Sequence, residues 1–430
     1  MSHLARFGGI PLRRNPFPDW PTFSAAEEDA VLRVLRSGKW WANSLGESRQ
    51  SNGDDDEGSR VAHLERAFAR FHDTKFAVAC ASGTAALEVA LKAAGIAAGD
   101  EVIVPPYTFI ATASAPLLLG ATPVFCDIEL DTLNLDPRAL QGVITPRTKA
   151  IIPVHFAGRA ADMDSILAIA RAHNLFVLED AAHAHGATWK QRGLGSIGDA
   201  GAFSFQASKN MTAGEGGMIV TNDEGLADVC ESYVWVGRKV GRPWYEHHRL
   251  GWNYRMMEVQ AAILIEQLKS LPGQLVTRTQ NAAYLNLHLG EIPGITTLPD
   301  PAWASTNAHH IYLFRFDEQE FGISRDEFLL ALAAEGVPCT GGYAFPLYRN
   351  PLFLTPGNEK ELPSVNPPVD WQAYTASCPN AERACREMIW IEHRVLLGSR
   401  EDMEQVVQAV MKIYLHRQEF SCKEHSTVAT

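Results

Sequence analysis

The stretch LFVLEDAAHAHGA, residues 175–187, joins a short apolar run directly to two carboxylates and two histidines. A short apolar run of this kind, bounded by turn residues, indicates a buried strand of a parallel sheet. Glu179 and Asp180 then lie at the mouth of the sheet, beyond the end of the strand, where a ligand cation can pair with a carboxylate. The alternative is that Asp180 only caps the segment that follows, since aspartate is a good N-cap.

Similar apolar runs occur on both sides of this stretch and alternate with segments of helical spacing. The runs that predict strands are AVAC, EVIVPPY, TPVFCDI, AIIPVH, LFVLED, GAFSF and GGMIVTN. The segments VAHLERAFARFHD and SGTAALEVALKAAG are amphipathic and predict helices. Strands separated by helices build a mostly parallel sheet that helices cover on both faces, so the predicted fold class is α/β.

The chain of 430 residues is longer than one typical domain, which predicts one large and one smaller domain. We place the change near LPGQ, after the helical stretch EVQAAILIEQLKSL. Residues 1–270 are then an N-terminal arm and a large α/β domain, and residues 271–430 are a smaller α+β domain with a polar tail. The acidic, glycine-containing stretch 48–60 predicts a loop.

The composition limits the classes of partner and compartment. A net charge of −12 disfavours nucleic acid or an anionic membrane as a main partner, because both require clustered positive charge. No apolar run has the length of a membrane span, and the N-terminus lacks the apolar stretch of a secretion signal. Seven scattered cysteines predict no disulfide framework and no metal site. These features together predict a cytoplasmic protein.

Two further motifs suggest ligand chemistry. Ser82-Gly83-Thr84, at the start of a predicted helix, offers free backbone N–H groups and hydroxyls to a phosphate, although it also reads as an ordinary capped helix. Lys209 lies in SFQASKNMTAGEGG, residues 204–217, between a strand and a glycine-rich turn. Loss of hydration there would lower its pKa from about 10.4 and make the amine a nucleophile, whereas a solvated loop lysine would keep its charge.

The three signals are stronger together than separately. A phosphate-binding helix start, a carboxylate and a lysine at the mouth of an α/β sheet are what pyridoxal 5′-phosphate (PLP) requires. The phosphate anchors the cofactor, the lysine holds its aldehyde as a Schiff base, and the carboxylate keeps the ring nitrogen protonated. The sequence therefore predicts a PLP site.

At this point the sequence resembles a known family, the DegT/DnrJ/EryC1/StrS aminotransferases. The resemblance rests on FGGIPLR, SGTAAL, EVIVPPYTFIATASA, GATPVFCDIELDTLNLD, TPRTKAIIPVH, EDAAHAHGA, the segment from SFQASKN to TAGEGG, and GWNYRMMEVQAA. It implies the fold-type-I architecture of PLP-dependent transferases: a large domain with a mostly parallel seven-stranded sheet flanked by helices, and a smaller C-terminal α+β domain.

The resemblance also implies roles for individual residues. Lys209 matches the Schiff-base lysine and Asp180 matches the partner of the pyridine nitrogen. Phe109 matches the aromatic residue that stacks on the cofactor ring, although without the family it would read as a core phenylalanine. The positions that match phosphate ligands are Gly83, Thr84 and Ser204. Asn253 matches an asparagine that reaches the phosphate of the neighbouring subunit, which implies a homodimer with shared active sites.

One position departs from the common pattern of the family. Many sugar aminotransferases have glutamine where this chain has His183, close to the phenolic oxygen of the cofactor. Together with SGKWW and the segment from CPNAERA to WIEHRVLLG, this histidine resembles the aminohydroxybenzoate synthase branch. The family also contains sugar dehydratases in which histidine replaces the Schiff-base lysine. Because Lys209 is present, transamination is favoured over that reaction.

Candidate substrate residues are less specific. His309 and His310 lie where the family often has a histidine near the substrate, but they could equally be packing or surface residues. The other candidates for lining a hydroxyl-rich ring, each of which could instead belong to the core or an interface, are Trp40, Trp41, Tyr343, Arg349 and His393. Of all these, the prediction singles out Trp41, His310 and Tyr343.

The predicted function is a PLP-dependent aminotransferase of secondary-metabolite or surface-sugar biosynthesis. It moves an amino group from glutamate or glutamine to a cyclic ketone, which is a nucleotide-linked keto sugar or a cyclitol. One alternative is a dehydratase and aromatase of the aminohydroxybenzoate synthase type, acting on an aminoshikimate-like ring. The other is a non-catalytic regulatory or partner subunit with the same fold.

Overall fold

The computed structural model describes residues 2–41, 45–46, 58–355, 357–362 and 369–424. Most of the loop predicted at 48–60 and the last six residues of the polar tail lie outside the described residues.

The described strands follow the predicted runs closely. They are β1 (Phe76–Cys80), β2 (Glu101–Val104), β3 (Thr122–Phe125), β4 (Thr148–Ile151), β5 (Phe176–Asp180), β6 (Thr188–Trp189), β7 (Arg192–Gly193), β8 (Ala200–Ser204), β9 (Gly217–Thr221), β10 (Ile295–Thr297), β11 (Ala304–Thr306), β12 (Ile311–Phe316) and β13 (Met388–Glu392).

The helices of the described residues are numbered in chain order. They are α1 (Ala25–Ser37), α2 (Arg60–Phe71), α3 (Gly83–Ala93), α4 (Ala111–Leu118), α5 (Pro137–Leu140), α6 (Met163–Ala172), α7 (Glu224–Val234), α8 (Glu258–Leu289), α9 (Glu318–Phe321), α10 (Arg325–Ala334), α11 (Pro351–Leu354), α12 (Tyr374–Ser377), α13 (Pro379–Glu387), α14 (Arg400–Leu415) and α15 (Gln418–Glu424). Short 3₁₀ turns occupy Ala5–Phe7, Gln141–Val143, Phe156–Gly158, Leu347–Arg349, Asn358–Glu361, Trp371–Ala373 and Val395–Leu397.

The central sheet has seven strands in the order β1-β9-β8-β5-β4-β2-β3. Strand β9 runs antiparallel to both of its neighbours, and the remaining pairs are parallel. This confirms the predicted mostly parallel seven-stranded sheet. Since β1 and β8 both oppose β9, the carboxyl ends of β1, β5 and β8 share one edge of the sheet, and the site residues follow these ends.

Helices pack on both faces of the sheet, because successive side chains of each strand point to opposite sides. In β2, for example, Val102 and Val104 belong to the core that includes α3 and α4, while Ile103 belongs to the core that includes α2, α6 and the first half of α8. Each strand is buried on both faces, which explains why the strand sequences are continuously apolar rather than alternating.

A smaller unit combines the antiparallel sheet β10-β12-β13 with α10, α14 and the end of α8. The change predicted at 271–274 is not a linker, since α8 continues through Pro272 as one helix of 32 residues. In addition, Leu4 and Phe17 from the N-terminal arm pack in the core of the smaller unit rather than in that of the large domain. The apolar residues of α8 pack in two different cores, but in the sequence they form one continuous helical pattern. The pattern therefore does not locate the boundary between the large domain and the smaller unit.

We found no helix among the described residues whose length and apolar character would let it cross a bilayer.

Candidate active site

A cavity of about 480 Å³ opens at the carboxyl edge of the central sheet. It collects most of the residues that the sequence singled out, although they come from distant parts of the chain. The predicted residues that line it are Gly83, Thr84, Phe109, Asp180, His183, Ser204, Lys209, His310 and Tyr343. The edge of the sheet explains this convergence for the residues of the large domain, which lie at or after the carboxyl ends of strands, whereas His310 directly precedes β12 and Tyr343 lies in the loop after α10.

One end of the cavity is a polar cradle at the start of α3. Ser82 caps the helix by accepting a hydrogen bond from the Ala85 amide at 3.1 Å. The amides of Gly83 and Thr84 belong to the first turn, which has no acceptor within the helix, so they are available to a ligand. Gly83 has to be glycine here, since a Cβ atom would lie 2.6 Å from the Cβ of Ser204. The cradle therefore combines helix amides with the Thr84 and Ser204 hydroxyls.

The two carboxylates at the end of β5 face opposite sides of the sheet. Glu179 is fully buried in the core, where its oxygens accept hydrogen bonds from the amides of Ile197 at 2.7 Å and Gly198 at 2.6 Å, and one oxygen lies 2.8 Å from His155 Nε2. Asp180 instead faces the cavity. Its carboxylate accepts hydrogen bonds from the Thr112 hydroxyl at 2.8 Å and the Ala182 amide at 3.2 Å.

The segment after β5 forms turns rather than a helix, so Asp180 is not a helix N-cap, and its contact with the Ala182 amide is a turn hydrogen bond that uses only one oxygen. Burial raises the pKa of Asp180, and the Thr112 hydroxyl, the Ala182 amide and the charge of Lys209 oppose that rise. A cation at this carboxylate would favour its ionised form.

Lys209 lies in a turn after β8, where its amide donates to the Gln206 carbonyl at 2.9 Å. Its side chain points into the cavity, and loss of hydration lowers its pKa to about 8, although the charge of Asp180 acts in the opposite direction. A substantial fraction of the amine is therefore neutral near physiological pH. Lys209 is thus not the solvated loop lysine of the alternative interpretation.

His183 lines the cavity and lies beside the 3₁₀ turn Phe156–Gly158, with its ring centroid 5.7 Å from that of Phe156. Its Nδ1 accepts a hydrogen bond from the Ala157 amide at 3.2 Å, which places the ring proton on Nε2. Burial lowers the pKa of His183 well below its usual value, and the charge of Lys209 lowers it further. The ring is therefore neutral and presents an N–H donor.

His310 packs on His183 with ring centroids 4.3 Å apart, and His393 lies beyond it at 5.6 Å. His393 Nδ1 faces the guanidinium of Arg278 at 3.2 Å, while its Nε2 lies 3.0 Å from the Ser208 carbonyl. Burial and the charge of Arg278 lower the pKa of His393 to about 3. The three stacked imidazoles are thus all neutral.

A second cavity of about 490 Å³ adjoins the first. His310 and Trp390 line both, so they form the common wall. Trp20 from the N-terminal arm and the ion pair of Arg394 with Glu392, at 2.6 Å, line the outer part. The two cavities together provide room for a ring-sized molecule beside the lysine.

Several predicted residues lie away from the cavity. Trp41 lies 6.0 Å from Trp235, centroid to centroid, and Asn253 is exposed on the surface. His309 is buried beside another small cavity that Arg159 lines, and Arg349 pairs with Glu382 at 2.8 Å. None of them is among the described residues that line the cavity with Lys209. The same holds for Trp40, whose indole donates to the Leu35 carbonyl at 3.2 Å.

The sequence reasoning missed residues that hold the predicted ones in place. Thr112 and Thr108, which bond each other at 3.1 Å, support Asp180. Thr108 lies before α4 and Thr112 lies in its first turn, so helical spacing does not predict this contact. Asn210, next to the lysine, holds His310 by a contact of 3.1 Å, and no sequence pattern indicated this.

The residues present fit PLP in three respects. The cradle at Gly83 suits a phosphate, since free amides and hydroxyls converge where no side chain can intrude. Buried Asp180 lacks a full positive partner, which a protonated ring nitrogen would supply. The ring of Phe109 remains 59% exposed at the cavity although it is apolar, so a flat ring could cover it.

Comparisons with known proteins agree with this geometry. The profile of the DegT/DnrJ/EryC1/StrS aminotransferase family matches residues 42–411. The spore coat polysaccharide biosynthesis protein SpsC of Bacillus subtilis is 40% identical over 378 residues, covering 85% of this chain and 93% of that protein. An L-glutamine:2-deoxy-scyllo-inosose aminotransferase of Streptomyces lividus is 37% identical over 428 residues, covering 96% of this chain and 98% of that protein.

Among solved structures, the crystal structure of 3-amino-5-hydroxybenzoic acid synthase matches with a TM-score of 0.83 at 34% identity, covering 94% of this chain and 100% of that one. This likeness confirms the predicted fold class, including its smaller C-terminal unit. The predictions of an aminotransferase and of PLP as its cofactor are confirmed as well. The chain belongs to the DegT/DnrJ/EryC1/StrS aminotransferase family and is a PLP-dependent aminotransferase.

Proposed function

We propose that this enzyme transfers an amino group from glutamine to a polyhydroxylated cyclic ketone of the inosose type. The observation that carries the proposal is the placement of Lys209 and Asp180 in one cavity that also contains a phosphate cradle. The acceptor class is supported by the named activity of the Streptomyces lividus relative. The neutral imidazoles of the cavity wall are consistent with it, since hydroxyl groups need donors and acceptors rather than charges.

In this proposal Lys209 carries the chemistry that the chain itself performs. Its amine, with a pKa of about 8, would hold the cofactor through the aldehyde until the amino group of the donor displaces it, and the freed amine would then remove the proton from the donor α-carbon as general base and return it as general acid. PLP supplies the electron sink that stabilises the negative charge left when that proton is removed. The lowered pKa matters because only the neutral form of the amine attacks a carbonyl or accepts a proton, and that form is far more abundant near neutral pH than for a lysine with the usual pKa of about 10.4.

The remaining residues bind and orient. Gly83, Thr84 and Ser204 would hold the phosphate, and Phe109 would cover one face of the ring. Asp180, which accepts a hydrogen bond from the Thr112 hydroxyl at 2.8 Å, would pair with the ring nitrogen. His183, whose ring proton is on Nε2, would donate to the phenolic oxygen of the cofactor. Tyr343 and His310 line the side on which the acceptor enters.

We propose further that the enzyme is a cytoplasmic homodimer whose active sites are shared. Asn253 is exposed, and the same segment has large apolar side chains that are exposed to water in a single subunit. The exposed apolar side chains of this segment are Trp244, Tyr245, Leu250 and Met257. A second copy that covers them would allow Asn253 to reach the neighbouring phosphate cradle.

The first experiment tests the lysine. The purified enzyme supplied with PLP should show the visible absorbance of a cofactor bound through an amine, and Lys209→Ala should abolish it. Lys190→Ala is the matched control, because Lys190 lies on the surface and pairs with Asp164. A Lys209→Ala protein that keeps the absorbance would assign the attachment to another amine.

The second experiment identifies the acceptor. The enzyme is first loaded with the amino group from glutamine, and the recovery of the original absorbance is then followed with each of three ketones. We expect fast recovery with 2-deoxy-scyllo-inosose and little with a nucleotide-linked keto sugar or a cyclic keto acid. Fast recovery with the nucleotide-linked sugar alone would refute the inosose proposal and leave the aminotransferase assignment intact.

A second candidate function has its own support. The structural likeness to 3-amino-5-hydroxybenzoic acid synthase, together with His183 and the WIEHR segment, favours dehydration and aromatisation of an aminoshikimate-like ring. Such a reaction needs no amino donor once the ring carries nitrogen. Incubation with that ring should then produce the ultraviolet absorbance of an aromatic amine without glutamine.

A further inference from the structure

Asn210, the residue after the lysine, is buried and has both ends of its amide fixed. Its Nδ2 donates to the Ala308 carbonyl at 2.7 Å, and its Oδ1 lies 3.1 Å from Nδ1 of His310. The carbonyl of Ala308 can only accept, so the amide is oriented with Oδ1 toward the histidine. An oxygen acceptor at that distance requires the ring proton of His310 to be on Nδ1.

His183 has the opposite arrangement. The Ala157 amide donates to its Nδ1, so its proton is on Nε2. The same residue, Ala157, also accepts the backbone N–H of His310 at 2.9 Å through its carbonyl. One peptide segment therefore fixes two imidazoles that stack at 4.3 Å. His183 presents a donor to the cavity and His310 presents a lone pair.

We propose that Asn210 is a positioning residue that holds His310 in its Nδ1–H tautomer, so that His310 Nε2 accepts a hydrogen bond from a hydroxyl of the ring acceptor. This inference rests on the proposed function and refines it, because it states which hydrogen-bonding role His310 offers to the ketone substrate. A hydroxyl can both donate and accept, and only the donating role suits His310. The site then favours hydroxyl over ether or methoxy at that ring position.

The surroundings of His310 keep this lone pair available. Burial holds the pKa of His310 well below its usual value, and the titratable groups that face it lower the pKa further; these are His183, Lys209, His393 and His185. The imidazole is therefore neutral throughout the pH range in which the enzyme would work. Asn210 adds a neutral acceptor, which sets the tautomer without stabilising an imidazolium.

The test changes the charge of the positioning residue and keeps its shape. In Asn210→Asp the new carboxylate faces Nδ1–H and raises the pKa of His310, so that Nε2 becomes protonated as the pH falls. We expect the dissociation constant for 2-deoxy-scyllo-inosose to rise about tenfold at pH 6, and to approach that of the unmodified enzyme at pH 9. The half-reaction with glutamine is followed in the same variant, because its pH dependence separates an effect of the new charge on the adjacent Lys209 from the effect on acceptor binding.

Asn286→Asp is the control, because Asn286 accepts a hydrogen bond from the Tyr312 hydroxyl at 3.0 Å and does not line either cavity. It should leave both half-reactions unchanged. Asn210→Ala is a second variant, which removes the oxygen that selects the Nδ1–H tautomer of His310 without adding charge. It should weaken acceptor binding at every pH, again by about tenfold.

Neutron diffraction of the holoenzyme tests the tautomer without any acceptor. Deuterium on Nδ1 of His310 and on Nε2 of His183 is the expected result, and deuterium on His310 Nε2 would overturn the inference. An acceptor affinity in Asn210→Asp that does not depend on pH would also overturn it. Failure of the unmodified enzyme to react with 2-deoxy-scyllo-inosose would instead refute the proposed acceptor, while the neutron map would still decide the role of Asn210.

Discussion

The two neighbouring carboxylates at the end of β5 lie on opposite faces of the sheet and have different environments. On the core side, Glu179 has both oxygens occupied by amides of the 195–198 turn and by His155. On the cavity side, Asp180 has two partners, one on each oxygen, and space beyond them. Adjacent residues of one strand thus have a structural and a functional environment, because their side chains point to opposite faces.

The difference between the partners of Glu179 and those of Asp180 indicates how a binding site can be recognised in a structure without its ligand. A buried structural charge is satisfied by the protein itself, since an unpaired one would cost several kcal/mol. A buried functional charge is left partly unsatisfied, and its missing partner describes the ligand. For Asp180 the missing partner is a cation with an N–H donor, which agrees with a protonated pyridine ring.

The comparison is tested most strongly by Asp180→Asn. We expect the rate of the half-reaction with glutamine to fall about 10³-fold, because a neutral amide does not keep the ring nitrogen protonated. Stopped-flow absorbance of the holoenzyme measures this rate. A loss of less than tenfold would contradict the assigned role.

The same variant should make the cofactor-free protein more stable at neutral pH. Burial raises the pKa of Asp180 in the folded state, so its ionisation opposes folding, and this penalty grows as the pH rises through that pKa. Asparagine removes the penalty. The stability advantage of Asp180→Asn should therefore disappear in acid, where Asp180 is protonated, and thermal melts at pH 4 and pH 8 would show it.

Glu179→Gln should give the reverse result. The Glu179 carboxylate accepts hydrogen bonds from three backbone N–H groups, whereas one end of a glutamine amide is an NH₂ group that can only donate. We therefore expect a loss of about 3 kcal/mol in the free energy of unfolding. Denaturant titration of the cofactor-free protein measures this loss. The fraction that remains folded should still bind PLP with an unchanged absorbance maximum. A large change in that maximum with unchanged stability would mean that the two carboxylates had been assigned the wrong way round.

The sequence predicted the strands and the ligand-facing residues well because both depend on local signals. Continuous apolar runs identify strands buried on two faces, and a polar residue at the end of such a run is a candidate for the edge of the sheet. This is correct for Asp180 but wrong for Glu179, which lies within β5 and is buried in the core. The motifs around Gly83, Asp180 and Lys209 could therefore be assigned before the sheet order was known, and the structure brings all three to one cavity.

The supporting contacts could not be predicted in this way. Asn210 holds a histidine that lies 100 positions later in the chain, and the turn Phe156–Gly158 connects two histidines from different elements. Such contacts depend on the positions of whole elements rather than on spacing. For a similar reason the sequence did not show that α8 is continuous, since Pro272 and Gly273 normally interrupt helices but α8 is held by packing against both units.

The smallest expected effect comes from Thr112→Val, which removes one hydrogen bond on the cavity side and keeps the shape of the side chain. The hydroxyl donates to Asp180 at 2.8 Å and favours the ionised form of its carboxylate. Its loss should cost about 1.5 kcal/mol of that preference, which is roughly tenfold in the rate of the half-reaction with glutamine. Thr108→Val serves as the control, because the Thr108 hydroxyl contacts that of Thr112 at 3.1 Å, and it is Thr112 that donates to the Asp180 carboxylate. Equal losses in the two variants would show that the threonine pair acts as a unit, whereas no loss in either would mean that the cofactor alone sets the charge of Asp180.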